Sequence, residues 1–254
     1  MDRNKRFQGQ VALVTGAALG IGNAIAHGLA EEGARVLILD ISVEDGEEAA
    51  RAVVDGGGQA AAITMDATDP QQVRETVGEI IDEYGRIDVL VNNVGGNQPT
   101  PFLESDEALW RQLLELNLMS TLRFCHAVLP HMIAQQYGRV VNIASIAGIH
   151  PWPGSVIYGV AKAGVVSLSR SLAADMASHN IRVNCICPGP TETTLSKLLR
   201  QTQPEYVKAI HGMVTLGRLA DPQEIAAAVL FLASEESSFV LGECMVVDGG
   251  YNMV

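Results

Sequence analysis

From Gln10 onward the chain alternates between two hydrophobic rhythms. Short aliphatic and β-branched runs, VALVT (11–15), ARVLILD (34–40), AAAIT (60–64), IDVLVNN (87–93), GRVVNIA (138–144) and IRVNCIC (181–187), are apolar enough to be strands buried on both faces. Between them lie longer amphipathic segments with the helical repeat: Ile21–Glu32, Val43–Asp55, Pro70–Tyr84, Asp106–Gln135 and Ser155–Ser178. A further segment, Pro222–Ala233, precedes a final run, GECMVVD (242–248). Strands that alternate with helices pair in parallel, because each helix crosses the sheet and returns the chain in the same direction. The pattern therefore predicts an α/β fold of about seven strands with helices on both faces. No linker, repeat or low-complexity stretch interrupts it, and residues 1–254 read as one domain.

Three irregular stretches stand out. NNVGGNQPTP, IAGIHPWPG and CPGPTETTL are rich in Gly and Pro, and each follows the carboxyl end of an expected strand. Open α/β sheets bind ligands outside those strand ends, so the three loops converge on one candidate site. Directly after the first strand comes TGAALGIG, with glycines at 16, 20 and 22 opening a helix. Glycine lets the backbone turn tightly and approach a pyrophosphate, whose charge meets the unpaired N–H groups of the helix N-terminus. The second strand ends in LILD and puts Asp40 about 20 residues beyond that turn, where an acid binds the adenosine ribose hydroxyls. A carboxylate there repels a 2′-phosphate, and neither AAL in the turn nor IS after Asp40 supplies an offsetting cation. The expected cofactor is NAD rather than NADP.

Composition narrows the partners. Apolar residues make up 48% of the 254 and charged residues 18%, a globular balance. The formal net charge of −12 repels phosphate backbones and anionic membranes, which favours a small-molecule role over nucleic-acid or membrane binding. The four cysteines, at 125, 185, 187 and 244, form no Cys-x-x-Cys pair and have no histidine at zinc-ligand spacing. They read as reduced, buried thiols with no metal. No apolar run approaches the roughly 18 residues of a membrane span, and none precedes the first strand as a secretory signal would. The expectation is a soluble, cytoplasmic protein.

One stretch, SVIYGVAKAGV (155–165), sets a phenol and an ammonium four residues apart among small apolar residues. Side chains at i and i+4 share a helix face, about 5–6 Å apart at Cβ, so Tyr158 and Lys162 point the same way. A solvated helix face is the plain reading of such a pair; joint chemistry is the alternative.

TGAALGIG (15–22), NNVG (92–95), Asn117, Ser145, YGVAK (158–162), PGPTET (188–193) and VDGG (247–250) together resemble the short-chain dehydrogenase/reductase family, in its compact single-domain, 3-oxoacyl reductase-like branch. The resemblance runs essentially end to end. Val94 departs from it, standing where the family usually has alanine. The resemblance implies a Rossmann-type doubly wound sheet and a role for each matching residue. Tyr158 would be the general acid/base and Ser145 the hydroxyl that holds the substrate oxygen. Lys162 would bind the nicotinamide ribose and lower the tyrosine pKa, and Asn117 would hold a water linking Lys162 to solvent. Gly16, Leu19, Gly20, Ile21 and Gly22 would border the cofactor with Asp40 and Gly95. Asp66, with Ala67 beside it, would meet the adenine amino group, and Asn93 would line the adenosine. Pro188, Gly189, Thr191 and Thr193 match the loop that grips carboxamide and phosphate.

The chemistry agrees without the family. Hydride transfer between an alcohol carbon and nicotinamide requires a proton to leave or join the oxygen. A free tyrosine, with a pKa near 10, is a poor base at neutral pH, and a neighbouring ammonium corrects this by favouring the phenolate.

Around the substrate, His150 is a candidate contact or a solvated loop histidine, and Trp152, between two prolines, is a candidate pocket wall, core or interface residue. His27, His126, His131, His179 and His211 offer no pattern. Residues 193–216 fall where the family keeps its substrate lid. Leu195, Leu198, Leu199 and Met213 form its expected apolar underside, and Lys197, Arg200 and Lys208 stay in water or meet an anionic substrate. The long helices carrying Asn117 and Tyr158, with VVDGGYNMV at the end, resemble surfaces through which relatives form tetramers, so a homotetramer is expected and a dimer is the alternative. The leading expectation is an NAD-dependent oxidoreductase that interconverts a secondary alcohol and a ketone, in the oxidative direction. An NADPH-dependent reductase of 3-oxoacyl thioesters or similar ketones is the nearest alternative. A non-catalytic nucleotide-sensing scaffold is the second.

Overall fold

Each predicted strand forms, and in a computed structural model of the chain all seven lie parallel in one sheet, in the order β3-β2-β1-β4-β5-β6-β7. They are β1 Val11–Thr15, β2 Arg35–Asp40, β3 Gln59–Thr64, β4 Val89–Asn92, β5 Gly138–Ile143, β6 Ile181–Pro188 and β7 Cys244–Val247. The helices are α1 Gly20–Glu31, α2 Val43–Asp55, α3 Pro70–Tyr84, α4 Glu107–Leu114, α5 Ser120–Gln135, α6 Val156–Met176, α7 Thr194–Thr202 and α8 Pro222–Ala233. The structure describes residues 5–253 apart from 203, 206, 207 and 209–211, and apart from the side chains of Leu195 and Leu199.

Alternation along a strand decides which layer each residue joins. In β1, Ala12 and Val14 pack with Ile25 and Leu29 of α1 and Val229 of α8. Val11 and Leu13 point the other way, toward Val73 and Ile80 of α3 and Phe124 and Val128 of α5. With both faces covered, β1 is buried throughout. Strand β7, at the sheet edge, is only partly buried despite its apolar sequence. The chain passes from β1 outward to β2 and β3, then returns to β4 on the other side of β1. The loops after β1 and β4 therefore diverge and leave a crevice between them.

One expected helix is broken. Asp106–Gln135 contains α4, a π-helical turn at Glu115–Met119, and α5. Inside that turn the buried Asn117 donates from Nδ2 to the Leu113 carbonyl at 2.9 Å, so a side chain occupies a carbonyl that a regular helix would offer to its backbone.

Candidate active site

At one end of the crevice the turn after β1 is braced by β4. Asn93 donates from Nδ2 to the carbonyls of Thr15 and Gly16 at 3.1 and 2.8 Å, and its backbone N–H donates to Thr15 Oγ1 at 3.0 Å. Gly16 and Gly20 take φ of +59° and +60°, a region that strains any residue with a Cβ. Helices α2, α3 and α4 receive side-chain caps from Ser42, Asp69 and Asp106, and α8 has a capping box of Asp221 and Glu224. The start of α1 has no side-chain cap, and its N-cap residue, Leu19, borders the cleft. An anion therefore fits at that helix start.

Asp40 closes this end. Its Oδ2 accepts from Ala18 N at 3.0 Å and its Oδ1 from Ser42 N at 3.2 Å, which fixes the carboxylate beside the turn. Asp45 lies next to it, also lining the cleft and joined to Ser42 Oγ at 2.7 Å. Asp66 is held as a turn, its Oδ1 accepting from Thr68 N and Oγ1 at 2.8 and 2.7 Å.

At the other end, Ser145 follows β5 and accepts from Ala147 N at 3.1 Å, capping the short turn Ile146–Gly148. Tyr158 and Lys162 stand one turn apart on α6, with Lys162 Nζ 5.8 Å from the Tyr158 ring centre. Lys162 is buried and donates from Nζ to the Ile143 carbonyl at 2.8 Å. Burial disfavours its charged form and pushes its pKa down to about 8. A Cβ built on Gly95 would sit 2.8 Å from Asn117 Oδ1 and 3.0 Å from Lys162 Nζ, so both polar groups close in on one point of the backbone.

The two ends share one cleft of about 590 Å³, in the size range of small-molecule sites. It is lined by Gly16, Leu19, Gly20, Ile21, Asp40, Asp66, Ala67, Asn93 and Gly95 from the nucleotide side. Ser145, Trp152, Tyr158, Lys162, Pro188, Gly189, Thr191 and Thr193 complete the sequence-derived set. Three expected contacts are not wall residues. Gly22 packs under the turn, where a Cβ would lie 2.3 Å from the Gly16 carbonyl oxygen. Asn117 is wholly buried behind Gly96. His150 turns its ring edge-on to Tyr251, at 5.9 Å between centres, outside the cleft wall. Trp152 stacks on the same Tyr251 at 5.2 Å while it lines the cleft.

Sequence reasoning missed Asp45, Asn97, Met65, Phe124 and Leu219, which also border the space. Asp45 carried a readable signal, three residues after the helix-capping Ser42. Asn97 lies in NNVGGNQPTP, a loop expected at the site, whereas Met65, Phe124 and Leu219 reach the cleft by tertiary packing.

In the expected lid, Leu198 is 55% exposed, so it does not contribute to an apolar underside. Met213 is half-exposed and accepts from Tyr251 Oη at 3.4 Å. Arg200 pairs with Glu192 at 2.6 Å, and Lys197 and Lys208 are exposed. The side chains of Leu195 and Leu199, and His211, lie outside the described residues. Among the described residues no cluster of three or more His, Cys, Asp or Glu is placed to hold a metal, and no helix is long and apolar enough to cross a membrane.

A doubly wound sheet, a glycine turn at an uncapped helix and an acid at the end of β2 define a dinucleotide-binding protein. Comparison with known proteins narrows the class. A family profile described as "Enoyl-(Acyl carrier protein) reductase" matches residues 16–252. The 3-oxoacyl-(acyl-carrier-protein) reductase of Thermotoga maritima is 38% identical over 96% of this chain and 98% of its own length. The cis-4-hydroxycyclohexanecarboxylate dehydrogenase of Sinomonas cyclohexanicum is 42% identical over 98% of both chains. A Beutenbergia cavernae protein solved with NADP at low occupancy superposes with a TM-score of 0.91, at 35% identity, over 97% of this chain and 98% of that one. The chain belongs to the short-chain dehydrogenase/reductase family, oxidoreductases that act on CH–OH and ketone groups with a nicotinamide cofactor.

Proposed function

We propose that the protein is an NAD-dependent dehydrogenase that oxidises a secondary alcohol to a ketone, with Tyr158 as general base. The observation that carries this reading is that Ser145, Tyr158 and Lys162 line the same cleft as Asp40. As the alcohol carbon loses hydride, its oxygen must lose a proton, and the Tyr158 phenolate takes it while the Ser145 hydroxyl holds that oxygen. The Lys162 ammonium favours the phenolate and binds the nicotinamide ribose. Asn117, held between Gly96 and Leu113, would hold a water that links Lys162 to solvent. General acid/base catalysis of this kind contributes about 10²- to 10⁴-fold. The bound nicotinamide supplies the hydride acceptor.

The choice of NAD rests on Asp40, supported by Asp45: two carboxylates border the same end of the cleft, where a 2′-phosphate would be repelled. Residues 193–216 form the substrate lid over a single domain. The cytoplasm is the proposed compartment. Met119, Val156 and Val160 expose apolar surface around α5 and α6, and Val246 and Met253 do so near the C-terminus. These two surfaces support a homotetramer.

A second reading, reduction of a 3-oxoacyl thioester with NADPH, is favoured for its substrate by the name of the Thermotoga relative and for its cofactor by the NADP of the Beutenbergia structure. Both are tested by following nicotinamide absorbance across a panel of secondary alcohols, diols, hydroxy acids and a 3-oxoacyl thioester, each with both cofactors. Turnover of an alcohol with a higher kcat/KM for NAD supports the first reading. Turnover confined to the thioester and NADPH supports the second and removes the first. No turnover with any compound would point to a nucleotide-sensing scaffold.

A further inference from the structure

Three thiols that the proposed reaction does not use meet behind Ser145 and Lys162. Cys185 and Cys244 are direct partners in the register of β6 and β7, and their side chains meet with Sγ to Sγ at 2.8 Å. Cys187, two residues further along β6, lies on the same face of the strand as Cys185 and is buried. Cys185 and Cys187 are buried, while Cys244, on the edge strand, is half-buried. Neighbouring strands lie about 4.7–4.9 Å apart, within the Cα separations of roughly 4.4–6.8 Å that a disulfide spans. Closing the gap from 2.8 Å to the roughly 2.05 Å of an S–S bond takes under about 1 Å of movement.

The environment suits one reactive sulfur and one resolving sulfur. The hydrogen bond from Cys185 and the nearby Arg170 guanidinium hold the Cys244 thiol down at about 7, in the range of reactive cysteines. Cys185 is pushed up because its proton is shared with Cys187 and Cys244. Interaction with Cys185 pulls Cys187 down.

We infer that Cys185 and Cys244 are a reversible oxidation site, joined as a disulfide by hydrogen peroxide, and that the bond slows the enzyme. The Cys244 thiolate attacks one peroxide oxygen, the O–O bond breaks, and with one proton water leaves and a sulfenic acid remains. Cys185 then gives up its proton as its sulfur attacks the Cys244 sulfur, and the S–O bond breaks. The leaving hydroxide takes a proton and departs as a second water. Two thiols lose two electrons and one peroxide gains them.

The consequence for turnover runs through the strand ends. Strand β6 ends in Pro188 and leads into Gly189 at the cleft wall, and Gly189 N donates to Val247 O of β7 at 2.9 Å. Drawing the two strands together moves this junction, and a misplacement of about 1 Å at a reacting site can cost about 10²-fold.

The test treats the full-length protein with a small excess of hydrogen peroxide, blocks free thiols, and maps peptides without reduction. The expected result is a fall from four free thiols to two, with fragment ions assigning the link to Cys185 and Cys244. Turnover should fall at least about tenfold and return with dithiothreitol. Cys244→Ser should resist the inactivation, and Cys185→Ala should form no link. A link through Cys187 or Cys125, or sulfinic acid at Cys244 without a link, overturns the site. A correct link with unchanged turnover overturns the switch. The peptide map needs no turnover assay, so it stands apart from the proposed reaction.

Discussion

Asn117 clasps Gly96 from both sides: its Oδ1 accepts from Gly96 N at 3.0 Å and its Nδ2 donates to Gly96 O at 2.8 Å. A third bond ties the same amide to Leu113 O at 2.9 Å, so the π turn, the loop after β4 and the space beside Lys162 share one side chain. Asn117→Ala would take the partner from the buried Leu113 carbonyl and from the half-buried Gly96 N–H and C=O, at roughly 1–3 kcal/mol for a group left unsatisfied. The expected outcome is a lower urea midpoint together with a large loss of turnover. A variant with parental stability and activity would show that the clasp is dispensable.

Tyr158→Phe removes one hydroxyl and keeps the ring beside Lys162. Cofactor affinity, read by fluorescence titration with NADH, should stay within about threefold, while kcat falls about 10²- to 10⁴-fold. Near-normal kcat would remove Tyr158 from the proposed chemistry.

Lys162 gives a pH signature. Its pKa is near 8 when buried in the folded chain and about 10.4 when unfolded, so between those values the unfolded state binds more protons. Stability carried by this group therefore rises with pH through that window, and the cost of burying the ammonium is fully present below about pH 8. Lys162→Met removes the titration. The stability of the variant relative to the parent should drop by about 1.5 kcal/mol between pH 8 and 9.5, measured by urea unfolding. An unchanged difference would mean that Lys162 does not titrate there.

Asp40→Ala tests cofactor choice. Removing the carboxylate that Ala18 and Ser42 hold in place should shift the kcat/KM ratio at least about tenfold toward NADP, the scale of a lost charge repulsion of about 1.4 kcal/mol. A parent protein that already prefers NADP would reverse the assignment.

Gly22→Ala should weaken cofactor binding from behind the cleft wall, through Gly16 and Asn93. The added methyl would meet the Gly16 carbonyl at 2.3 Å and Asn93 Nδ2 at 2.5 Å, so the turn must move. Isothermal titration with NADH should show at least about a tenfold loss of affinity, since displacing the turn disrupts the hydrogen bonds that brace it. Unchanged affinity would mean that the turn absorbs the methyl.

Local signals in the sequence determined most of the architecture. Helices α2, α3 and α8 run over the predicted residues because their boundaries are marked locally, by Ser42, by Asp69 before Pro70 and by Asp221 before Pro222. The one-sided or two-sided apolar rhythm set the layers, and residue identity was enough to bring Tyr158, Lys162, Ser145 and Asp40 to the candidate site, because the ends of parallel strands converge by topology. Only the tertiary structure decided what depends on distant partners. The π turn exists around an amide whose other partner, Gly96, is 21 residues away. His150 left the cleft for Tyr251, and Gly22 proved to be packing rather than wall, because both outcomes depend on side chains that no local pattern names. The meeting of Cys185 and Cys244, 59 residues apart, is likewise set by the register of β6 against β7, which hydrogen bonding across the sheet fixes and spacing along the chain does not.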